Sequence, residues 1–183
     1  MAHISCGYER DPAPPYVLAK KKTGAGSGLC RGVRNGRGGG IAVDSHGNIF
    51  IAEFELNRVR RVDADTGIIT TVAGCWDDGF CRSAGDGGPA TEAELKNPES
   101  IAVDRAGNLY IADVNNNRIR KVDGRTGTIS TIAGDGRQHE IGEGAWATAA
   151  SVCIPQGVAV DTFGNVFVAD PCNQRIRRIS TGP

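Results

Sequence analysis

Three stretches of the chain repeat one pattern of apolar and polar positions. Residues 41–63 read IAVDSHGNIFIAEFELNRVRRVD, residues 101–123 read IAVDRAGNLYIADVNNNRIRKVD, and residues 158–179 read VAVDTFGNVFVADPCNQRIRRI. They align without gaps, offset by 60 and then 57 positions. Each opens with three apolar residues, passes through Asp-x-x-Gly-Asn, and enters a second apolar run of alternating large and small side chains. A polar loop and an Arg-apolar alternation follow. Apolar runs this short, bounded by Asp, Gly and Asn, predict strands rather than helices.

The strands fall at equivalent places in each unit. The first precedes Asp44, Asp104 and Asp161. The second covers Ile49–Ala52, Leu109–Ala112 and Val166–Ala169, and the third covers Arg58–Val62, Arg118–Val122 and Arg175–Ile179. Thr66-Gly67 and Thr126-Gly127 then turn the chain into a fourth, Ile68–Ala73 and Thr128–Ala133. The aspartate of Asp-x-x-Gly-Asn bonds backbone two residues ahead, and Gly and Asn tolerate positive φ, so the first two strands form a hairpin. Four antiparallel strands make a blade, and blades bury their faces by stacking on one another. The predicted fold is all-β: a β-propeller-type array of three four-stranded antiparallel blades over residues 41–74, 101–134 and 158–183. A solenoid of parallel coils competes, and the hairpin argues against it. Long linkers join the blades. Pro89–Leu95 reads as a short helix, and Trp146–Val152 is its counterpart. The equivalent stretch before the first blade, Gly24–Gly40, is degenerate and glycine-rich.

These motifs resemble the NHL repeat: [IV]-A-V-D-x-x-G-N, then N-x-R-[IV]-R-[RK]-[VI], then T-G-x-[IS]-x-T-[VI]-A-G. The linker AGDGGPATEAELKNP is similar to the long-linker form of that repeat. The third unit departs from the pattern with Pro171-Cys172 and with Gln174 in place of Asn57 and Asn117. Three blades are fewer than the four to eight of typical propellers. Three arrangements answer this: a fragment of a longer protein, an open array, or a homodimer completing a six-bladed ring. Residues 1–40 form an N-terminal segment, in which Tyr16–Lys20 is expected to add a closing edge strand to the third blade, from the same chain or from a partner.

Charge narrows the choice of function. Lys and Arg number 21, as do Asp and Glu, so the formal net charge is zero. A nucleic-acid partner is not expected, since polyanion binding needs a basic excess. The row Arg60-Arg61, Arg120-Lys121 and Arg177-Arg178 carries the residual RNA-binding alternative, with few aromatics for stacking. No apolar run is long enough for a membrane helix, and Met1–Pro15 lacks the apolar core of a signal peptide, so the compartment stays open. No cofactor is expected. The histidines His3, His46 and His139 occupy no equivalent repeat positions, and neither the Asp-x-x-Gly-Asn turns nor Asp77, Asp78 and Asp86 have calcium-loop spacing, so no metal is expected.

Other candidate residues recur with the repeat. An acid and an arginine five residues on, Glu53 with Arg58, Asp113 with Arg118 and Asp170 with Arg175, are expected to pair and hold each loop to its blade. Cys75 and Cys81 flank a small loop that a disulfide would close. Cys153 and Cys172 fall on the same rim, where a second disulfide is geometrically reasonable. The functional expectation is a non-catalytic scaffold that binds a protein or small ligand through rim loops 54–57, 114–117 and 171–174. Phe54, Glu55, Val114, Asn115 and Asn116 are the expected contacts. The alternatives are part of a propeller lyase or hydrolase completed by missing blades or a partner, and an RNA-binding module.

Overall fold

The computed structural model describes residues 39–75, 85–138 and 146–179, together with the backbone of Tyr16–Val17. Its regular structure is strand, interrupted by single turns of 3-10 helix. Blade one consists of β2 (Ile41–Val43), β3 (Ile49–Glu53), β4 (Arg58–Val62) and β5 (Ile68–Ala73). Blade two consists of β6 (Pro98–Val103), β7 (Leu109–Asp113), β8 (Arg118–Val122) and β9 (Ile129–Ala133). Blade three contributes β10 (Gly157–Val160), β11 (Val166–Asp170) and β12 (Arg175–Ile179). Strands within each blade are antiparallel and ordered as in the sequence. Three four-stranded blades were expected; among the described residues the third has three strands.

The closing strand lies elsewhere than expected. Tyr16–Val17 forms β1, and it pairs with β5 on the outer edge of blade one, Tyr16 opposite Ile69 and Val17 opposite Ile68. Within the single chain this segment therefore lengthens blade one rather than blade three. An edge strand accepts any extended segment through its backbone, so its choice of partner carries little side-chain signature.

The hairpin turns follow the expected chemistry. The Asp44 carboxylate accepts the His46 and Asn48 amides at 2.9 Å and the Asn48 side-chain amide at 2.7 Å. Gly47, Gly107 and Gly164 hold φ of 83°, 82° and 87°, which a side chain would strain. Asn48 Oδ1 then accepts the Ala64 amide, and Asn108 Oδ1 accepts the Gly124 amide, which ties the first turn of a blade to its third. The turn aspartates are thereby spent on their own loops.

Alternation along the strands gives every blade two apolar faces. On the front face of blade two lie Ile101, Leu109, Ile111, Val122 and Ile129. They pack on the rear of blade one, where Phe50, Ala52, Val59 and Ala73 project, and Ala90, Ala93 and Leu95 of the linker complete that layer. The rear of blade two, Tyr110, Ala112, Ile119 and Ala133, packs in turn on Val158, Val166, Val168 and Ile179 of blade three. The core is thus two layers between sheets, and no sheet carries a core of its own. Ile111 is fully buried in the first layer. Ile111→Ala is expected to cost about 2–5 kcal/mol. Urea titration would show it, and a loss below about 1 kcal/mol would mean that the layer is not close-packed.

Candidate interaction rim

The second and third strands of each blade are joined on one rim by a turn of 3-10 helix, Phe54–Leu56 and Val114–Asn116 in the first two blades. The turn ends on a residue in the left-handed region: Asn57 at φ 52°, Asn117 at 51° and Gln174 at 51°. Asn tolerates this conformation because its short amide bonds locally. Its side chain reaches across the rim as well. Asn57 Oδ1 accepts the Asn97 amide at 2.8 Å, and Asn117 Oδ1 accepts the Ile154 amide at 3.1 Å. Asn97 and Ile154 are equivalent linker residues, each left-handed (φ 53° and 50°) and each followed by proline. The loop of one blade thus holds the chain entering the next. For a β-branched residue such as Ile154 that conformation is strained.

The repeated acid holds the same chain from the other side. Asp113 Oδ1 accepts the Lys96 amide at 2.7 Å, and Asp170 Oδ1 accepts the Cys153 amide at 3.0 Å. The second oxygen of Asp113 accepts the Asn116 side chain at 2.9 Å, and that of Asp170 accepts Asn173 at 2.9 Å. Both acids are fully buried. Burial pushes the Asp113 carboxyl above its ordinary range, against the Lys96 amide, Asn116 and Arg120, which all pull it down.

The arginine partners correct the expectation. Glu53 pairs with Arg58 as its spacing suggests. Asp113 instead pairs with Arg120 at 3.4 Å, and Asp170 with Arg177 at 3.2 Å. Asp113 does lie directly opposite Arg118 in the strand register, and Asp170 opposite Arg175. Side chains two apart share a face, so the longer reach from Arg120 and Arg177 competes with the direct pair. It wins because these two lie further from the rim, where the same guanidinium also holds the linker. Arg120 donates to Asp86 at 2.8 Å, and Arg177 donates to the Ser151 carbonyl at 2.5 Å. The guanidinium of Arg118 lies over Gly136.

The expected contact residues divide between two roles. Glu55 and Asn115 are exposed, and Phe54 is half-buried. Val114 is buried in the turn and is not available to a ligand, because the 3-10 conformation directs it inward. Asn116 is taken up by Asp113 and by the Glu94 carbonyl. Asn115 shares Asn97, which also donates to the Phe54 carbonyl at 3.1 Å. Cys153 and Cys172 are joined in a disulfide with Cα atoms 5.5 Å apart, which pins the linker to the rim loop of blade three. Cys75 is disulfide-bonded too, while Cys81, Asp77 and Asp78 lie outside the described residues. Among the described residues, no cluster of three or more His, Cys, Asp or Glu is placed to hold a metal, and no helix is long and apolar enough to cross a membrane. The basic strand residues are split between faces. Arg60 and Arg120 are buried on the front, while Arg61 pairs with Asp63 and Lys121 lies over the Tyr110 ring on the rear.

Residues 152–179 match the NHL repeat model, and residues 75–141 match the Teneurin NHL domain model. The chain is built of NHL repeats. Mouse Teneurin-1 is 40% identical over 91 residues, which are 45% of this chain and 3% of that protein. Human NHL repeat-containing protein 2 is 30% identical over 133 residues, 70% of this chain and 18% of the relative. The chain therefore spans a small part of either. An auxiliary nutrient binding protein from Bacteroides thetaiotaomicron superimposes with a TM-score of 0.61 at 22% identity, covering 76% of this chain and 36% of that one. A putative gluconolactonase superimposes with a TM-score of 0.54 at 14% identity, covering 79% and 45%. At these identities the likeness is one of fold.

Two predictions follow from the rim and the turns. Asp113→Ala removes one of the two acids on Arg120, Asp86 being kept, and leaves the Lys96 amide and the Asn116 side chain without their acceptor; it is expected to cost about 1–3 kcal/mol in chemical denaturation. The Thr66 amide holds the Asp63 carboxyl below its usual range, the Thr126 amide does so for Asp123, and the Asn165 side chain for Asp161. A lowered folded value gives stability that is complete above the unfolded pKa of about 3.9 and drains as pH falls through the folded one. The melting temperature is thus expected to hold down to about pH 4 and to fall below it. Asp63→Asn with Asp123→Asn should flatten that fall; an unchanged profile would assign it to other groups.

Proposed function

We propose that this chain is a non-catalytic scaffold that presents the exposed tips of its rim loops to a protein partner. The reading rests on how the rim divides its residues. Positions that recur from blade to blade, the αL Asn and the acid, are occupied in holding linkers to blades. The exposed tips are where the repeats differ: Glu55 in blade one, Asn115 in blade two, Pro171 and Cys172 in blade three. Fixed residues that build the frame and varied residues that face solvent are the arrangement by which one architecture serves different partners. The disulfide at Cys172 stiffens one tip and lowers the entropy lost on binding.

The test uses peptides selected from a displayed library on the intact chain. Glu55→Arg is expected to weaken the selected binders about tenfold or more at unchanged melting temperature, and Asn115→Arg to weaken them similarly while lowering the melting temperature slightly, since Asn115 also bonds Asn97. Binders indifferent to both substitutions would remove the rim from the proposal. Turnover of a lactone or ester panel by the wild-type chain would replace the scaffold with an enzyme, and salt-sensitive retention of RNA homopolymers would replace the protein partner with a nucleic acid.

A further inference from the structure

The two outer faces of the array carry the same kinds of side chain as its internal interfaces, and among the described residues no sheet covers them. On the front of blade one, Ile41 is 62% exposed and Ile49 is 39% exposed. Their equivalents on the front of blade two, Ile101 and Leu109, are 6% and 3% exposed, and those of blade three, Val158 and Val166, are 8% and 0%. Val43 lies beside Ile41 on the same bare face, being opposite Ile49 in the register. At the other end, Ile176 on the rear of blade three is 72% exposed, while its equivalents Val59 and Ile119 are fully buried. Phe167 and Ala169, both half-buried, lie on the same face, at the positions that Phe50 and Ala52 occupy fully buried in blade one. A contiguous apolar patch of this kind marks an interaction site rather than ordinary surface.

The internal interfaces define the chemistry of the occupant. Twice within the chain a front face built from Ile, Val and Leu is covered by a rear face built from an aromatic, an alanine and a β-branched residue. The bare rear face of blade three is a third copy of that cover, and the bare front face of blade one is a third copy of what it covers. We propose that a second copy of this chain closes both ends: the rear of blade three in each protomer packs on the front of blade one in the other, about a two-fold axis. The pair has six blades, within the four to eight that propeller rings hold. Because the contact joins two different faces, it ends after two chains only if the ring closes.

Analytical ultracentrifugation of the intact chain decides this. Wild type is expected to sediment at twice its 19.2 kDa, without growing further at higher concentration. Ile41→Asp and Ile176→Asp should each give monomers, since each spoils both interfaces of a symmetric pair. Mixing the two variants should restore a one-to-one pair, because one of its two interfaces is then wild type. Val43→Asp reads the front face again should Ile41→Asp lose its strand circular dichroism. A monomeric wild type, an Ile176→Asp variant that stays dimeric, a mixture that fails to pair, or open-ended growth with concentration would each overturn the proposal.

Discussion

A four-stranded sheet with apolar side chains on both faces is not stable in water alone, and every feature of this molecule answers to that constraint. Burying one face leaves the other exposed, so stability comes from stacking and not from any single blade. The two hydrophobic layers here form only between neighbours, and each draws side chains from two repeats. It follows that the chain cannot lose a blade without exposing the faces on either side. The same requirement acts at the two ends of the array, where the same kinds of side chain recur and no sheet of the described residues covers them.

Hydrophobic stacking is non-directional and does not fix the angle or register between blades. The polar contacts at the rim supply that. Asn57 or Asn117 of one blade and Asp113 or Asp170 of the next grip successive linker amides, so the linker is positioned from both sides at once. Arg120 and Arg177 add a contact deeper between the blades. A buried ion pair of this kind adds little net energy, since desolvation offsets the attraction. Its stereochemistry is strict, and that strictness is what a stack of similar, slippery faces needs. The strained Ile154 is consistent with the same priority: the backbone there is held by Asn117 and by the neighbouring disulfide, not by its own preference.

The strands, their order and their turns were legible because each rests on short-range chemistry. Asp44, Gly47 and Asn48 announce a hairpin within five residues, and the apolar alternation assigns faces. The arginine partners were not legible, because Arg118 and Arg120 share a face and lie one step apart on it. Spacing favours the first. The choice is made by Asp86, which arrives from a linker whose path no local pattern encodes. The grip on Lys96 and Cys153 was hidden for the same reason. Val114 read as a loop residue, and only the 3-10 turn directs it inward. The placement of Tyr16–Val17 depends on backbone pairing at an edge, to which side chains contribute least.

What the rim can bind follows from what it has left over. Asn57, Asn117, Asp113 and Asp170 cannot serve a ligand without releasing a linker, and releasing a linker separates two blades. On the proposed function, binding falls to the tips, of which Glu55 is tied to no linker by its side chain among the described contacts, while Asn115 and Cys172 each also hold one. That division of roles is a physical consequence of assigning the recurrent polar residues to the frame. It lets adjacent repeats of nearly identical construction carry Glu55, Asn115 and a cystine at equivalent places, so the surface they present together differs from blade to blade while the geometry that holds it does not.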